Sequence, residues 1–329
     1  MGGDLARLTR AALRRLVQSV LLLLGVIVLN FLLIQAAPGS FLDVMTSDQQ
    51  VGDPAMIEHL RVLYGMDQPA YMQLLRYIWS VMHLDLGFSY RQNMPVLDAI
   101  LVHLPATLLL MLSAIGVALA VGIAAGMVAA IRVNTVWDTL VSVLTVLCFA
   151  TPSFWLGIML IIVFSVKLHW LPVGDMQTIG GTGSIVGDVL DVLRHLLLPA
   201  LSLGLFYAAI YARMMRSSML EVMHLDFVRA ARAKGLSRMR VIFAHVVRNA
   251  LLPIVTLLGL QLGTVLGGSV VIESVFDWPG LGRLLFDSVS SRNYPVVLGL
   301  MVFSSLLVIV VNIFVDLAYA RLDPRIRGR

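Results

Sequence analysis

The sequence predicts an all-α membrane protein with six transmembrane helices. Of its 329 residues, 59% are hydrophobic and only 13% are charged, whereas average soluble domains carry about 25% charged residues. Apolar runs of about 20 residues, the length at which an α-helix crosses roughly 30 Å of hydrocarbon, recur along the chain. Lysine and arginine are concentrated in alternate connections between these runs, as expected for a multi-pass membrane protein.

The apolar runs lie at residues 16–37, 104–131, 140–166, 196–214, 250–272 and 295–320. Arginines precede the first run, and Gln35-Ala36-Ala37 at its end resembles a signal-peptide cleavage site. Its apolar core of about 20 residues exceeds the 7–15 residues that are typical of a signal peptide. We therefore expect this run to stay in the chain as an anchor. In the second run, the spacing of Gly122 and Gly126 favours close contact with another helix.

Charge orients these runs in the membrane. If the N-terminus is cytoplasmic, 17 of the 24 Lys and Arg residues fall on the cytoplasmic side, and the acidic residues show the opposite bias. The positive-inside rule then places both termini in the cytoplasm.

We expect four regions: an N-terminus with the first helix (residues 1–37), an extracytoplasmic loop with a helical cap at 71–82 (38–103), a membrane core (104–320) and a cytoplasmic tail (321–329). The core includes a cytoplasmic loop at 215–249, called the basic loop below.

Composition excludes several kinds of chemistry. Neither of the two lysines, Lys167 and Lys234, lies in a Walker A sequence, so the chain cannot bind ATP in that way. A single cysteine, Cys148, and seven histidines without His-x-x-x-His spacing disfavour a zinc site, and no metal or catalytic residue is predicted. The net charge of +5 is small for the length and does not indicate nucleic-acid binding.

Two other classes of membrane protein are disfavoured. An ion-coupled secondary transporter needs acidic residues near the membrane midplane, but the carboxylate within the runs, Asp316, lies near the cytoplasmic end of the last one. An intramembrane enzyme needs a nucleophile with a neighbouring base, and the runs supply no such pair.

The basic loop has the pattern of two helices separated by a corner. Residues 218–234 favour a helix, and Gly235 follows Lys234 where a helix-terminating glycine is expected. Ser237 can cap a second helix, and Asp226 is placed to pair with Arg229. An apolar stripe lies at Val222, Leu225, Val228 and Ala231. From these residues alone, the loop either inserts its small-residue corner into a groove of another protein or lies on anionic lipid headgroups.

The same loop resembles the EAA loop of ABC-importer permeases, in the form found in the dipeptide/oligopeptide group. Residues 226–236 read DFVRAARAKGL, and RNALLP follows at 248–253. The resemblance covers nearly the whole chain, at residues 37–39 (APG), 64–69 (YGMDQP), 85–89 (DLGFS), 104–108 (LPATL), 151–155 (TPSFW), 170–172 (WLP), 215–221 (MRSSMLE), 278–282 (WPGLG) and 323–327 (DPRIR). The chain looks like the first of the two membrane subunits of such an importer, which implies a type I ABC-importer permease fold.

In that family the loop is a coupling helix that docks in a cleft of a cytoplasmic ATPase subunit. Ala230, Ala231 and Gly235 match the second Ala, the third Ala and the Gly of the EAA pattern, whereas Arg229 stands in place of its leading Glu. The spacing from Gly235 to Pro253 is longer than in the general pattern. The resemblance implies an ATPase-subunit contact formed by Asp226, Arg229, Ala230, Ala231, Arg232, Lys234, Gly235 and Leu236.

The resemblance further implies ATP-driven import across the bacterial cytoplasmic (inner) membrane by alternating access. The expected partners are a second related permease subunit, two ABC ATPase subunits that bind ATP and Mg, and an extracytoplasmic substrate-binding protein. The chain itself would bind no cofactor and would not be an enzyme. Peptides are the expected substrate, and glutathione or nickel chelates are the alternative within the family.

A second candidate site lies where the outer mouth of such a permease is expected. It is formed by Trp278, Pro279, Gly280 and Gly282. We expect these residues either to form an outer gate or binding-protein contact, or to be a structural turn.

Overall fold

The computed structural model of the chain describes residues 2–36, 68–89, 91–181 and 183–322, and most of them are helical, as predicted. The helices are α1 (Gly2–Ala36), α2 (Ala70–Met82), α3 (Val96–Ile131), α4 (Val136–Ala150), α5 (Ser153–Leu160), α6 (Ile185–Val222), α7 (Asp226–Ala233), α8 (Arg238–Val241), α9 (Arg248–Val275), α10 (Leu281–Ser290) and α11 (Tyr294–Leu322). A π-helical segment, Ile161–Lys167, extends α5, and another, Ile242–Val247, joins α8 to α9. Strands β1 (Phe88–Ser89) and β2 (Met94–Pro95) form a short antiparallel pair.

Except for the third, the predicted apolar runs coincide with single helices, which are longer than the runs. Among the described residues, the segments long and apolar enough to cross a membrane are Val96–Ile131, Ile185–Met223, Arg238–Gly259 and Tyr294–Ile313. The first run corresponds to the shorter apolar segment Val17–Leu33 of α1, and the helix predicted at 71–82 is α2. Residues 38–67 of the predicted loop and 323–329 of the predicted tail lie outside the described residues, as does the side chain of Asp316.

The third run is not one straight helix, which corrects the prediction for residues 140–166. The chain bends by 103° between Val136–Ala150 and Ser153–Lys167. Thr151 and Pro152 lie at the bend with ψ angles of 125° and 135°. Proline has no N–H to continue a helix and disfavours helical geometry at the residue before it. Pro152 therefore ends α4 and allows a new helix to begin at Ser153.

The chain divides into two compact units, residues 1–103 with 284–314 and residues 104–283 with 315–329. In the first unit, Asn30 Nδ2 of α1 donates to the Leu298 carbonyl of α11 at 3.3 Å. A small apolar cluster joins α1, α2 and α11 through Ile27, Val81 and Val302. These contacts hold α2 beside the first and last helices.

The second unit is built around α6, against which α4, α5 and α9 pack. Its contact with α3 depends on the two glycines singled out in the sequence. A Cβ at Gly122 would lie 2.7 Å from the Ala208 carbonyl oxygen, and one at Gly126 would lie 2.5 Å from that of Ala212. The predicted close contact is confirmed, because the absence of side chains lets the two backbones approach each other.

Candidate functional site

The basic loop begins with an interruption that was not predicted. α6 ends at Val222 and α7 begins at Asp226, so the continuous helix expected across residues 218–234 is wrong. The Leu225 N–H donates to the Val222 carbonyl three residues back, at 3.1 Å, and the extended backbone of Leu225 (ψ 149°) then redirects the chain. Asp226 consequently lies in the first turn of α7, where the helix dipole favours a negative charge.

The corner after α7 has the predicted conformation. Gly235 has a φ angle of +78°, in the left-handed region that glycine enters without a steric penalty. Its N–H donates to the Arg232 carbonyl at 2.9 Å. Ser237 directly precedes α8, but its hydroxyl makes no capping hydrogen bond. The helix–corner–helix arrangement is therefore confirmed, whereas capping by the Ser237 side chain is wrong.

The eight residues of the predicted ATPase contact differ in their exposure to solvent. Ala231 is 7% exposed and packs, with the fully buried Val228, in the chain's own core. Leu236 is half-buried against the same core. The remaining six residues are exposed: Asp226, Arg229, Ala230, Arg232, Lys234 and Gly235. Ala231 and Val228 thus seat α7 on the core, as the predicted apolar stripe indicates, whereas Leu225 of that stripe is 45% exposed. Ala230 is the small exposed residue beside the corner, and the contact with an ATPase subunit stays a prediction.

The exposed surface of the basic loop is positively charged. Asp226 pairs with Arg229 at 3.6 Å, as predicted, but both side chains are open to solvent, so water and salt screen most of the attraction. Arg238 Nη2 donates to the Ile131 carbonyl at the end of α3, at 3.3 Å, a position where a cation is favourable. Further exposed cations lie at Arg232, Lys234 and Arg240. The loop therefore presents positive charge while its second helix is anchored to α3.

An ion pair not anticipated from the sequence ties α4 to the start of the basic loop. Arg216 Nε and Nη2 donate to the two oxygens of Asp138 at 2.7 and 2.9 Å. The Asn134 N–H donates to the same carboxylate at 3.0 Å. Asp138 is 6% exposed, and a buried carboxylate in this bidentate geometry is much more firmly held than a surface pair. In the sequence, this ion pair is signalled by the position of Asp138, an acidic residue at the edge of the third apolar run.

The tryptophan turn (residues 276–282) is largely buried. Trp278 is fully buried, and its Nε1–H donates to the Ala106 carbonyl of α3 at 2.8 Å. Gly280 and Gly282 are also buried, whereas Pro279 is half-buried. Trp278, Gly280 and Gly282 are therefore closed off from any external protein in this conformation. This burial fits a structural turn, whereas the outer gate or binding-protein contact stays a prediction.

A buried carboxylate missed in the sequence organises this turn. Glu273, near the end of α9, is 0% exposed. Its Oε1 accepts the Thr107 hydroxyl at 2.9 Å, and its Oε2 accepts the N–H groups of Gly282 and Arg283 at 2.6 and 3.1 Å. The Thr107 oxygen accepts the Leu281 N–H at 2.7 Å. The first three N–H groups of α10 are thus satisfied, and the positive end of the helix faces the carboxylate.

Two protein-family models match the chain. The family described as "Binding-protein-dependent transport system inner membrane component" matches residues 122–328, which include the basic loop and the tryptophan turn. The model for the N-terminal part of such membrane components matches residues 8–111.

The chain belongs to this family of transport permeases.

The permease is similar to curated relatives over nearly its full length. It is 40% identical over 334 residues to the dipeptide transport system permease protein DppB of Escherichia coli (strain K12), with 96% of this chain and 98% of the relative covered. It is 41% identical over 319 residues to a putative peptide permease protein of Brucella suis biovar 1 (strain 1330), with 97% and 99% covered. The relationship therefore includes both compact units.

Two solved structures share the fold of the permease at 16% identity. One is the crystal structure of an amino acid ABC transporter with histidines, with a TM-score of 0.51 and 68% of this chain and 94% of that chain covered. The other is an inward-facing conformation of the MetNI methionine ABC transporter, with a TM-score of 0.51 and coverages of 71% and 98%. The predicted type I importer fold is confirmed. The permease is a multi-pass inner-membrane component of an ABC importer. Its family is one of transport subunits, and membership implies association with ATPase subunits.

Proposed function

We propose that the permease imports di- or oligopeptides across the cytoplasmic membrane with energy from ATP. The observation that carries this proposal is the 40% identity to the dipeptide permease DppB over 96% of the chain, together with 41% identity to a peptide permease of Brucella suis. Because this identity runs through both units, it includes the segments that would form the substrate path as well as the basic loop.

The basic loop is the proposed contact with an ATPase subunit. Its corner is open, because a Cβ at Gly235 would meet no atom within 4 Å, and Ala230 beside it adds little bulk. This space and the positive charge around it suit insertion into a cleft of a partner. Val228 and Ala231 pack in the same core as α6 and α9, so a force on the loop would reach the membrane helices directly.

The proposed cycle uses partners for every chemical step. Two ATPase subunits would bind ATP and Mg, and their closure would move the basic loop together with that of a second, related permease subunit. The helices would then open toward an extracytoplasmic binding protein that delivers the substrate. The charge distribution supports cytoplasmic termini. The permease itself would bind no cofactor and catalyse no reaction, and the Asp138–Arg216 pair would pass movement of the loop to α4.

The test is uptake by proteoliposomes that contain the complete transporter, with the cognate binding protein supplied. Labelled dipeptides, longer peptides, glutathione and a nickel chelate are compared with and without ATP. ATP-dependent accumulation of peptides is expected. Accumulation of glutathione or the nickel chelate in place of peptides would reassign the substrate, and accumulation driven by an ion gradient without ATP would overturn the proposed mechanism.

A further inference from the structure

Glu273 is a buried carboxylate held by neutral donors. In addition to the Thr107 hydroxyl and the two N–H groups of α10, it forms a hydrogen bond with the side chain of Ser269. A carboxylate removed from water is unfavourable unless hydrogen bonds fill its lone pairs. Because these donors belong to α3, α9 and α10, any other conformation of the turn would leave the carboxylate short of partners.

The tryptophan turn packs tightly against the carboxylate of Glu273. A Cβ at Gly280 would overlap the Glu273 carboxylate, and a Cβ at Gly282 would lie 2.5 Å from Val270 Cα. The indole of Trp278 adds a separate hydrogen bond to α3. The tryptophan turn is therefore attached to α3 at two points and fits Glu273 only because two of its residues lack side chains.

The outer side of this turn carries an exposed ion pair. Arg283 Nη2 lies 2.7 Å from Asp277 Oδ1, with 30% and 57% of the side chains exposed, and Arg283 Nη1 donates to the Asp277 carbonyl at 2.6 Å. The backbone N–H of the same Arg283 donates to Glu273. One residue thus connects the buried carboxylate to the surface, so the position of the ion pair depends on Glu273.

We propose that Glu273 is a positioning residue for transport, which holds the tryptophan turn on α3 so that the Asp277–Arg283 pair forms a rigid contact for the binding protein. This rests on the proposed function, including the extracytoplasmic placement of the turn. The family depends on a binding protein for transport. A preformed surface loses less conformational freedom on association than a mobile one, and a pair carrying both signs of charge favours one orientation of a charged partner.

The test replaces Glu273 in the complete transporter and measures ATP-driven uptake against the concentration of peptide-loaded binding protein. Glu273→Gln keeps the shape of the side chain, but the new NH₂ group cannot accept a hydrogen bond. We expect the half-saturating concentration of binding protein to rise about tenfold, the effect of losing roughly one hydrogen bond to a charged group, with an unchanged maximal rate. Asp277→Asn should act in the same direction. Asp98→Asn, at an exposed carboxylate in the first turn of α3, is the matched control and should have no effect.

Thr107 provides a second pair of variants. Thr107→Val removes the hydroxyl at similar size and should raise the half-saturating concentration, whereas Thr107→Ser keeps the hydroxyl and should restore wild-type behaviour. A reduced maximal rate without a change in half-saturation would overturn the proposal, as would wild-type titrations for both Glu273→Gln and Thr107→Val. Failure of these two variants to assemble, with normal assembly of Thr107→Ser, would make the cluster a folding element and would also overturn it.

The same variants separate this proposal from the proposed function. If the wild-type transporter accumulates no peptide, the substrate assignment fails. The stimulation of ATPase activity by its binding protein, titrated in wild-type and Glu273→Gln transporters, then still decides whether Glu273 positions the contact.

Discussion

Substitution of Gly235 tests whether the corner after α7 is needed for coupling. A Cβ at this position would meet no atom within 4 Å, so a new side chain would not clash with the rest of the chain. The cost arises in the backbone, because the φ angle is +78° and an L-residue is less stable in the left-handed region by about 1–2 kcal/mol. Asparagine tolerates this region better than alanine, and valine tolerates it worse. We expect the loss of function to increase in the order Gly235→Asn, Gly235→Ala, Gly235→Val.

If the corner forms the ATPase contact, the backbone cost of Gly235→Ala should raise the dissociation constant for the ATPase subunits by a factor of about 5–30. The assay is titration of purified permease in nanodiscs with its ATPase subunits, with ATP-driven uptake measured in parallel. Gly180→Ala is the matched control, because Gly180 has a φ angle of +99° and equally open surroundings in a different loop. Wild-type affinity for Gly235→Val would refute the reasoning, as would an equal loss of ATPase binding for Gly180→Ala.

Three further predictions follow from burial and packing. Ala230→Arg should reduce binding of ATPase subunits without lowering the thermal unfolding temperature, whereas Ala231→Arg should lower that temperature, because only Ala231 is buried. Gly126→Ala should destabilise the permease by about 1–3 kcal/mol in unfolding titrations through overpacking against α6, while Gly116→Ala, with no atom within 4 Å of its Cβ, should not. Asp138→Asn should lower uptake per ATP hydrolysed more than it lowers the amount of assembled transporter; unchanged coupling would show that the ion pair transmits no movement.

The positions of the helices follow mostly from local properties of the sequence. So does one of the two errors in predicting them, the bend in the third run. The apolar runs follow from the free energy of placing side chains in hydrocarbon, which depends mainly on each residue and its neighbours. The bend at Pro152 was equally local, because a missing N–H and a restricted preceding residue act within two positions. The end of α6 at Val222 carried no such signal, since residues 218–234 contain neither Pro nor Gly.

The candidate sites show a similar division. The conformation of Gly235 could be predicted because a left-handed residue after a helix is a backbone preference. The side of α7 that faces inward was also indicated, because the apolar stripe includes Val228 and Ala231, which are buried, although Leu225 of the same stripe is 45% exposed. Glu273 directly follows the fifth apolar run, and its role depends on Thr107, which is 166 residues away in sequence.

The sequence by itself therefore determined the class of protein, the positions of the apolar helices other than the bent third run, the Gly235 corner and, through its motifs, the permease family. Tertiary structure alone decided that the chain is redirected between Val222 and Asp226 and that Trp278 lies inside. It also decided that the carboxylates of Asp138 and Glu273 are buried against partners from distant segments. The physical reason is that hydropathy and backbone preference act between near neighbours, whereas burial and hydrogen bonding of a polar group depend on which distant segments pack around it.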